Sequence, residues 1–376
     1  STLFEMEEPT YPNSADGYTL VELIGKGMFN NEVWRATVPS RNNEEVAVKI
    51  IDLEEYSQDN LESIRKEVQI MNRSRHDNIV PYYCSFVEKT KLWLVMRMLA
   101  GSCLDLLRYK FPNGIEDEAV IAVVMRAALQ GLGYLHAHQQ LHRDIKAANI
   151  LLAPDGRVQL ADFGVSAALD AHDQRRTTFV GTVCYMAPEV LDPSETGGYD
   201  IKADFWSLGI TAIELAYGKP PYALNQPMKV IMLLMKHPSP SLDVPEHDIK
   251  SLQLKQGRTF SSAFKHFVEL CLQKDPRKRP TAQQLLDHNF LKNLPADEAI
   301  CSAYLVKHLL TGLPSVGERY RQHVAKSSIK GPNNATAGTM QAKPSLKDEE
   351  EDVEWDFGDD KAPSSSSSSS SSAKPK

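Results

Sequence analysis

The run His142-Arg143-Asp144-Ile145-Lys146-Ala147-Ala148-Asn149 carries the densest chemistry in the chain. Moving a phosphoryl group onto a hydroxyl needs a carboxylate that accepts and orients the hydroxyl proton, and Asp144 suits that role. It needs a cation beside the migrating group, which suits Lys146, and a hard oxygen ligand for magnesium, which suits Asn149. Thirteen residues on lies Asp162-Phe163-Gly164, whose carboxylate suits a second magnesium ligand. Upstream, Val46-Ala47-Val48-Lys49 places a lysine on a β-rich run, in reach of the α- and β-phosphates of a nucleotide. A buried ammonium needs a fixed partner, and Glu67 is the candidate. It stands three residues after Ile64 and four before Met71, on the apolar side of a helix. Each piece alone has a plain structural meaning: a turn, a snorkelling strand lysine, a core helix face. Their order and spacing carry the reading.

Elements must hold these residues in place. From Tyr18 to about Leu99 the pattern is strand-like, with apolar runs at Val46–Ile51 and Leu92–Met96. One helix interrupts it over 57–73, with Leu61, Ile64, Val68 and Met71 at steps of three and four. From about 117 to 291 helical periodicity dominates, clearest over 119–137 and 203–217. A strand-rich piece followed by a helix-rich piece predicts an α+β fold of two lobes. The divisions are a leader over 1–17, a domain over 18–291 (N-lobe 18–99, C-lobe 100–291) and a helical extension over 292–325. In that extension Leu305, Leu309 and Leu310 share one side. A disordered tail over 326–376 completes the chain, acidic from Asp348 to Asp360 and unbroken serine from Ser364 to Ser372.

Composition narrows the partners. The net charge of −7 supplies no global field for nucleic acid or an anionic membrane. Five scattered cysteines form neither a zinc pair nor a disulfide framework, so they read as reduced thiols of a cytoplasmic protein. No apolar run approaches the roughly 20 residues of a membrane helix, and the acidic N-terminus lacks a signal-peptide pattern.

The assembled motifs resemble the eukaryotic protein kinases over residues 18–291. The resemblance implies a bilobal kinase fold with a β-rich N-lobe and a helical C-lobe, and ATP and magnesium as cofactors. It implies protein substrates phosphorylated on serine or threonine. It places catalysis at Asp144, Lys146 and Asn149, and metal binding at Asn149 and Asp162. ATP contacts fall at Ile24, Gly25, Lys26, Gly27, Val33, Ala47, Lys49, Glu67, Met96, Met98 and Leu151. Asp204 is similar to the residue that anchors the catalytic-loop backbone, and Arg279 to the arginine that pairs with Glu189 of Ala187-Pro188-Glu189. Thr178-Phe179-Val180-Gly181-Thr182 and the following residues to Glu189 are similar to the sterile-20-like (germinal-centre) group. Gln226–Met232 looks like its Fray branch, the oxidative-stress-responsive and proline-alanine-rich kinases. That likeness implies that Thr178 is the activating phosphorylation site of an upstream kinase and Thr182 mainly structural; Arg143, beside Asp144, is the expected pairing partner of the phosphate, with Arg175 and Arg176 nearby.

Two departures keep a second reading open. The glycine-rich loop, Ile24 to Val33, has Asn30 at its third glycine position and one extra residue, and Ala100-Gly101-Ser102 has one glycine fewer than the usual hinge. Both resemble the sterile-20-related adaptor pseudokinases, which activate a partner kinase by docking. Glu354-Trp355-Asp356-Phe357 is similar to the Trp-x-Phe motif of such adaptors. It implies that Trp355 and Phe357 bind a helical-repeat scaffold of the calcium-binding-protein-thirty-nine family. Against the adaptor reading stand Lys49, Glu67, Asp144, Lys146, Asn149 and Asp162, all present.

Overall fold

The computed structural model describes residues 10–27, 31–56, 64, 68, 71, 74–162, 183–192, 200–244 and 257–329. They belong to one compact unit, Ser1–Asn334; the second unit, Ala335–Lys376, lies outside the described residues.

Strands β1 (Thr19–Lys26), β2 (Glu32–Val38), β3 (Glu44–Asp52), β4 (Tyr82–Glu88) and β5 (Lys91–Arg97) form an antiparallel sheet in the order β1-β2-β3-β5-β4. Side chains alternate across a strand. On β3, Val46 and Val48 therefore pack with Ala36, Val38, Phe86, Val95 and Tyr18 on one face, while Ala47 and Lys49 take the other. Residues 10–17 are more ordered than their leader-like composition suggests. Tyr11 stacks on Tyr83 with ring centroids 4.3 Å apart, and its hydroxyl donates to Glu44 at 2.7 Å. The Arg41 guanidinium lies 4.2 Å above the same ring. Two aromatic faces and a charged partner fix a segment that is only half-buried at most and has little apolar content of its own. Of the helix expected over 57–73, Ile64, Val68 and Met71 are described; all three are helical and 1% exposed.

After β5 the chain crosses to the helical lobe, through β6 (Gly101–Ser102) and α1 (Cys103–Tyr109). Helicity thus begins earlier than the periodicity indicates, because Ser102 caps α1 by accepting from the Asp105 N–H. Two helices make the core, α2 (Glu118–Ala137) and α4 (Ile201–Tyr217), with the short α3 (Pro188–Leu191) between them in sequence. Every residue of α4 from Ala203 to Tyr217 is buried, its four polar side chains Asp204, Ser207, Thr211 and Glu214 included. The expectation that no apolar run is membrane-length needs correction at α2. It is long and apolar enough to cross a membrane, and it is apolar because most of it lies in the lobe's interior. β7 (Ile150–Leu152) and β8 (Val158–Leu160) complete a small sheet with β6. α5 (Pro227–Lys236), α6 (Ser262–Cys271) and α7 (Ala282–Leu286) fill out the lobe.

The extension is α8 (Glu298–Leu305), a π-helical turn (Val306–Leu310) and α9 (Val316–Ile329). Of Leu305, Leu309 and Leu310, expected on one side, the first two are buried and Leu310 is half-buried, and α9 runs past 326, where the tail was expected to start.

Candidate active site

α4 holds the catalytic loop by three side chains spaced along one face. Asp204 is 0% exposed and accepts from the N–H groups of His142 (3.0 Å) and Arg143 (2.8 Å), and pairs with His136 Nε2 at 2.8 Å. Thr211 donates to the Ile145 carbonyl at 3.4 Å, and Glu214 accepts from the Ala147 N–H at 3.0 Å. The Asp204 role matches the expectation. Those of Thr211 and Glu214 went unread; the signal was polar residues at i+7 and i+10 on an otherwise apolar helix. Burial pushes the Asp204 carboxyl up, but the hydrogen bond and charge of His136 outweigh it and hold it below the usual range. Burial alone pushes Glu214 up, against the Ala147 N–H and Tyr185. The anchoring supports a backbone that needs support. Arg143 has φ +65° and Asp162 φ +57°, left-handed conformations that cost a non-glycine residue roughly 1–2 kcal/mol.

Within this frame Asp144, Lys146 and Asn149 converge. The Asp144 carboxylate accepts from Lys146 Nζ at 2.9 and 2.7 Å and from Asn149 Nδ2 at 2.8 Å. Asn149 Nδ2 also donates to the Asp144 carbonyl at 2.7 Å. Asp144 is 9% exposed, so these bonds act with little competition from water. Asp162 accepts from Lys49 Nζ at 2.8 Å. Burial pushes its carboxyl up, and the charge of Lys49, with Lys146 and His142, holds it down. Burial pushes His142 below its ordinary value, against the charges of Asp204, Asp144 and Asp162.

The strand register brings the nucleotide candidates together. Gly25 faces Val33, Val33 faces Lys49, and Ala47 faces Met96. Ala47, Lys49 and Met96 are buried; Ile24, Gly25, Val33, Met98 and Leu151 are half-buried; Lys26 and Gly27 are exposed. Leu151 sits on β7, opposite Ser102 and Gln159. Gly27 donates its N–H to the Asn31 carbonyl at 2.7 Å, closing the base of the glycine-rich loop. Glu67, Thr178, Thr182, Trp355 and Phe357 lie outside the described residues, as do Asn30, Arg175 and Arg176.

The donor set fits magnesium. The Asn149 amide nitrogen is engaged by Asp144, which leaves its oxygen as the acceptor end, and Asp162 offers carboxylate oxygens. Among the described residues no group of three or more His, Cys, Asp or Glu could hold a metal. A cation here would draw its remaining ligands from phosphate and water, as magnesium does.

Outside the cleft, Arg279 pairs with Glu189 as expected. Nη1 and Nη2 reach the carboxylate at 2.5 and 2.8 Å, with the guanidinium 5.1 Å over Trp206.

The chain matches the protein kinase domain model over residues 18–291. It is 47% identical over 313 residues to the serine/threonine-protein kinase fray2 of Dictyostelium discoideum, covering 83% of this chain and 28% of that protein. The serine/threonine-protein kinase fray1 of the same organism is 41% identical over 325 residues (86% and 53%). Germinal center kinase 3 of Caenorhabditis elegans is 43% identical over 321 residues (81% and 51%). The chain thus spans between about a quarter and a half of the length of these relatives. With its sheet, its helical lobe and this alignment, the chain belongs to the protein kinase family, among relatives of the Fray and germinal-centre type.

Proposed function

We propose that the chain is a serine/threonine protein kinase that transfers the γ-phosphoryl group of ATP to hydroxyls of other proteins. One observation carries this: Asp144, Lys146 and Asn149 meet in one hydrogen-bonded cluster. The Lys49–Asp162 pair adjoins this cluster, since the N–H of Ala161, one residue before Asp162, donates to the Asn149 carbonyl at 2.9 Å. Asp144 orients the incoming hydroxyl and takes its proton as the oxygen–phosphorus bond forms. The bond from the γ-phosphorus to its bridging oxygen breaks and ADP leaves. Lys146, held on Asp144, places a positive charge beside the transferring group, and Lys49 offers its ammonium to the remaining phosphates. Asn149 and Asp162 would hold magnesium, which when bound neutralises phosphate charge. Radiolabelled transfer to a generic basic protein tests the reading; Lys49→Met must abolish it, and a wild type without transfer would overturn it.

The adaptor reading rests on the altered glycine-rich loop, the hinge with one glycine fewer and the Trp355–Phe357 motif. It expects ATP turnover to be the same in Asp144→Asn as in wild type. Regulation follows the family likeness: phosphorylation of Thr178 by an upstream kinase, and docking of Trp355 and Phe357 on a helical-repeat scaffold. Thr178→Ala against Thr178→Glu, and scaffold capture by Trp355→Ala, test these two. Five free cysteines, four of them buried, support a cytoplasmic setting; cell fractionation tests it.

A further inference from the structure

The segment joining the lobes is gripped from outside the kinase domain. After β5 the chain runs through Met98 and Leu99 to Ala100, whose N–H donates to the Leu152 carbonyl at 2.7 Å. The Ala100 carbonyl accepts from Arg319 Nη2 of α9 at 2.5 Å. The peptide groups of Ala100 are therefore held on one side by the C-lobe and on the other by a residue 219 positions away. The Arg319 side chain is 2% exposed. Its Nε and Nη2 lie 2.8 and 2.6 Å from the Asp105 carboxylate of α1, and Nη1 donates to the Pro314 carbonyl.

Gly101 makes this approach possible. Its φ is +136°, and a Cβ there would stand 2.5 Å from Arg319 Nη2 and 2.6 Å from Asp105 Oδ2. The single hinge glycine leaves room for a guanidinium. Two residues on, Arg321 reaches the other lobe, with Nη1 2.6 Å from Glu22 Oε2 on β1. Glu22 is also bound by Arg35 at 2.9 Å. Gly317 lets α9 sit that close, since a Cβ there would be 2.1 Å from the Glu22 carboxylate. One helix thus holds the hinge two residues from Met98 and holds β1 two residues from Ile24.

We propose that Arg319 is a positioning residue for the nucleotide site, fixing the hinge carbonyl path so that Met98 and Ile24 meet the adenine ring at a set spacing, with Arg321 bracing β1. The assignment rests on reading the cleft as an ATP site. A planar fork that satisfies a backbone carbonyl and a carboxylate together cannot be replaced by a point charge. Arg319→Lys keeps the charge beside Asp105 and loses the fork.

The test uses the full chain and a fluorescent ATP analogue, with dissociation constant, KM for ATP, kcat and melting temperature measured together. Arg319→Lys is expected to weaken nucleotide binding by about tenfold, with KM moving by that factor and kcat changing much less. Asp105→Asn, which leaves the bond to Ala100 and relaxes the clamp, and Arg321→Ala should each weaken binding by a few-fold. A lowered melting temperature with unchanged nucleotide affinity in Arg319→Lys would overturn the proposal and leave the helix a structural strap. If Arg319→Lys does not fold, Asp105→Asn and Arg321→Ala decide it; wild-type affinity in both overturns it. A wild type that binds nucleotide without transferring phosphate sinks the kinase reading and leaves this one measurable. A wild type that binds no nucleotide removes the site itself.

Discussion

The catalytic loop and the post-domain extension are both held by charged side chains gripping backbone, but with opposite polarity. In the loop, carboxylates on a fully buried helix accept from the N–H groups of His142, Arg143 and Ala147. In the extension, long cations donate to carbonyls. Arg126 donates to Pro295, and Lys110 to His308, Leu309 and Thr311. Buried backbone groups must be paired in either case. A short carboxylate on a rigid helix fixes position within narrow limits, whereas a lysine or arginine has a flexible stem. The loop's anchors therefore place reacting atoms, while Arg126 and Lys110 hold the start of the extension against the lobe.

The largest effect tests whether the loop's rigidity serves chemistry. Asp144→Asn should cut turnover by about 10²–10⁴ while ATP affinity stays near wild type, because Asp144 acts on the hydroxyl. Radiolabelled transfer and nucleotide titration on the same preparation separate the two. A variant that loses stability but keeps its rate would make Asp144 only a member of the anchoring network.

Next comes the anchor. Asp204→Ala leaves two buried N–H groups without their acceptor and frees Arg143 from its left-handed conformation. It should lower unfolding free energy by about 3 kcal/mol or more, with turnover falling alongside. Denaturant unfolding and kcat measured together check it. Retained kcat in a destabilised variant would show that the loop holds its geometry unaided.

The same difference explains what the sequence made legible. The loop residues lie within eight positions, and their types follow from the chemistry, so Asp144, Lys146 and Asn149 could be read directly. Asp162 and Lys49 are distant, but each sits in a short recognisable run. Thr211 and Glu214 face the loop from a helix whose apolar neighbours hide them. The grip of Arg319 on Ala100 was invisible, because nothing in the chemistry of either residue names the other across 219 positions. For the same reason Lys110 could not be read as the cap of the π-helical turn. Residues 10–17 looked unstructured because their packing partners, Tyr83, Arg41 and Glu44, come from elsewhere in the sheet.

A smaller effect sharpens the contrast from the extension's side. Arg126→Met keeps the apolar stem on α2 and loses the bonds to the Pro295 carbonyl, the Cys301 thiol and Glu298. Stability should fall by about 1–2 kcal/mol while kcat stays within twofold. The melting temperature and a saturating-ATP assay check it. A rate loss as large as that of Asp204→Ala would erase the distinction between the two regions.

The smallest effect is a pH dependence inside the loop's own anchor. Asp204 and Glu214 both grip the loop from α4, but their carboxyls are displaced in opposite directions. Asp204 lies below its ordinary value, so its stabilising contribution is present above the unfolded carboxyl range and is lost as pH falls through the lowered value. Glu214 lies above, because burial outweighs the Ala147 N–H, Tyr185, Lys146 and Arg108. Its contribution is full below the unfolded value and is lost as pH rises through the raised one. Glu214→Gln keeps an acceptor oxygen for Ala147 and removes the titration. Relative to wild type, the variant should therefore gain stability as pH rises from the ordinary carboxylate range, levelling off above the raised value. Denaturant unfolding of both proteins from pH 4 to pH 8 measures this difference. Parallel curves would mean that Glu214 ionises as easily in the folded chain as in the unfolded one. The Ala147 N–H and the cations nearby would then compensate fully for burial.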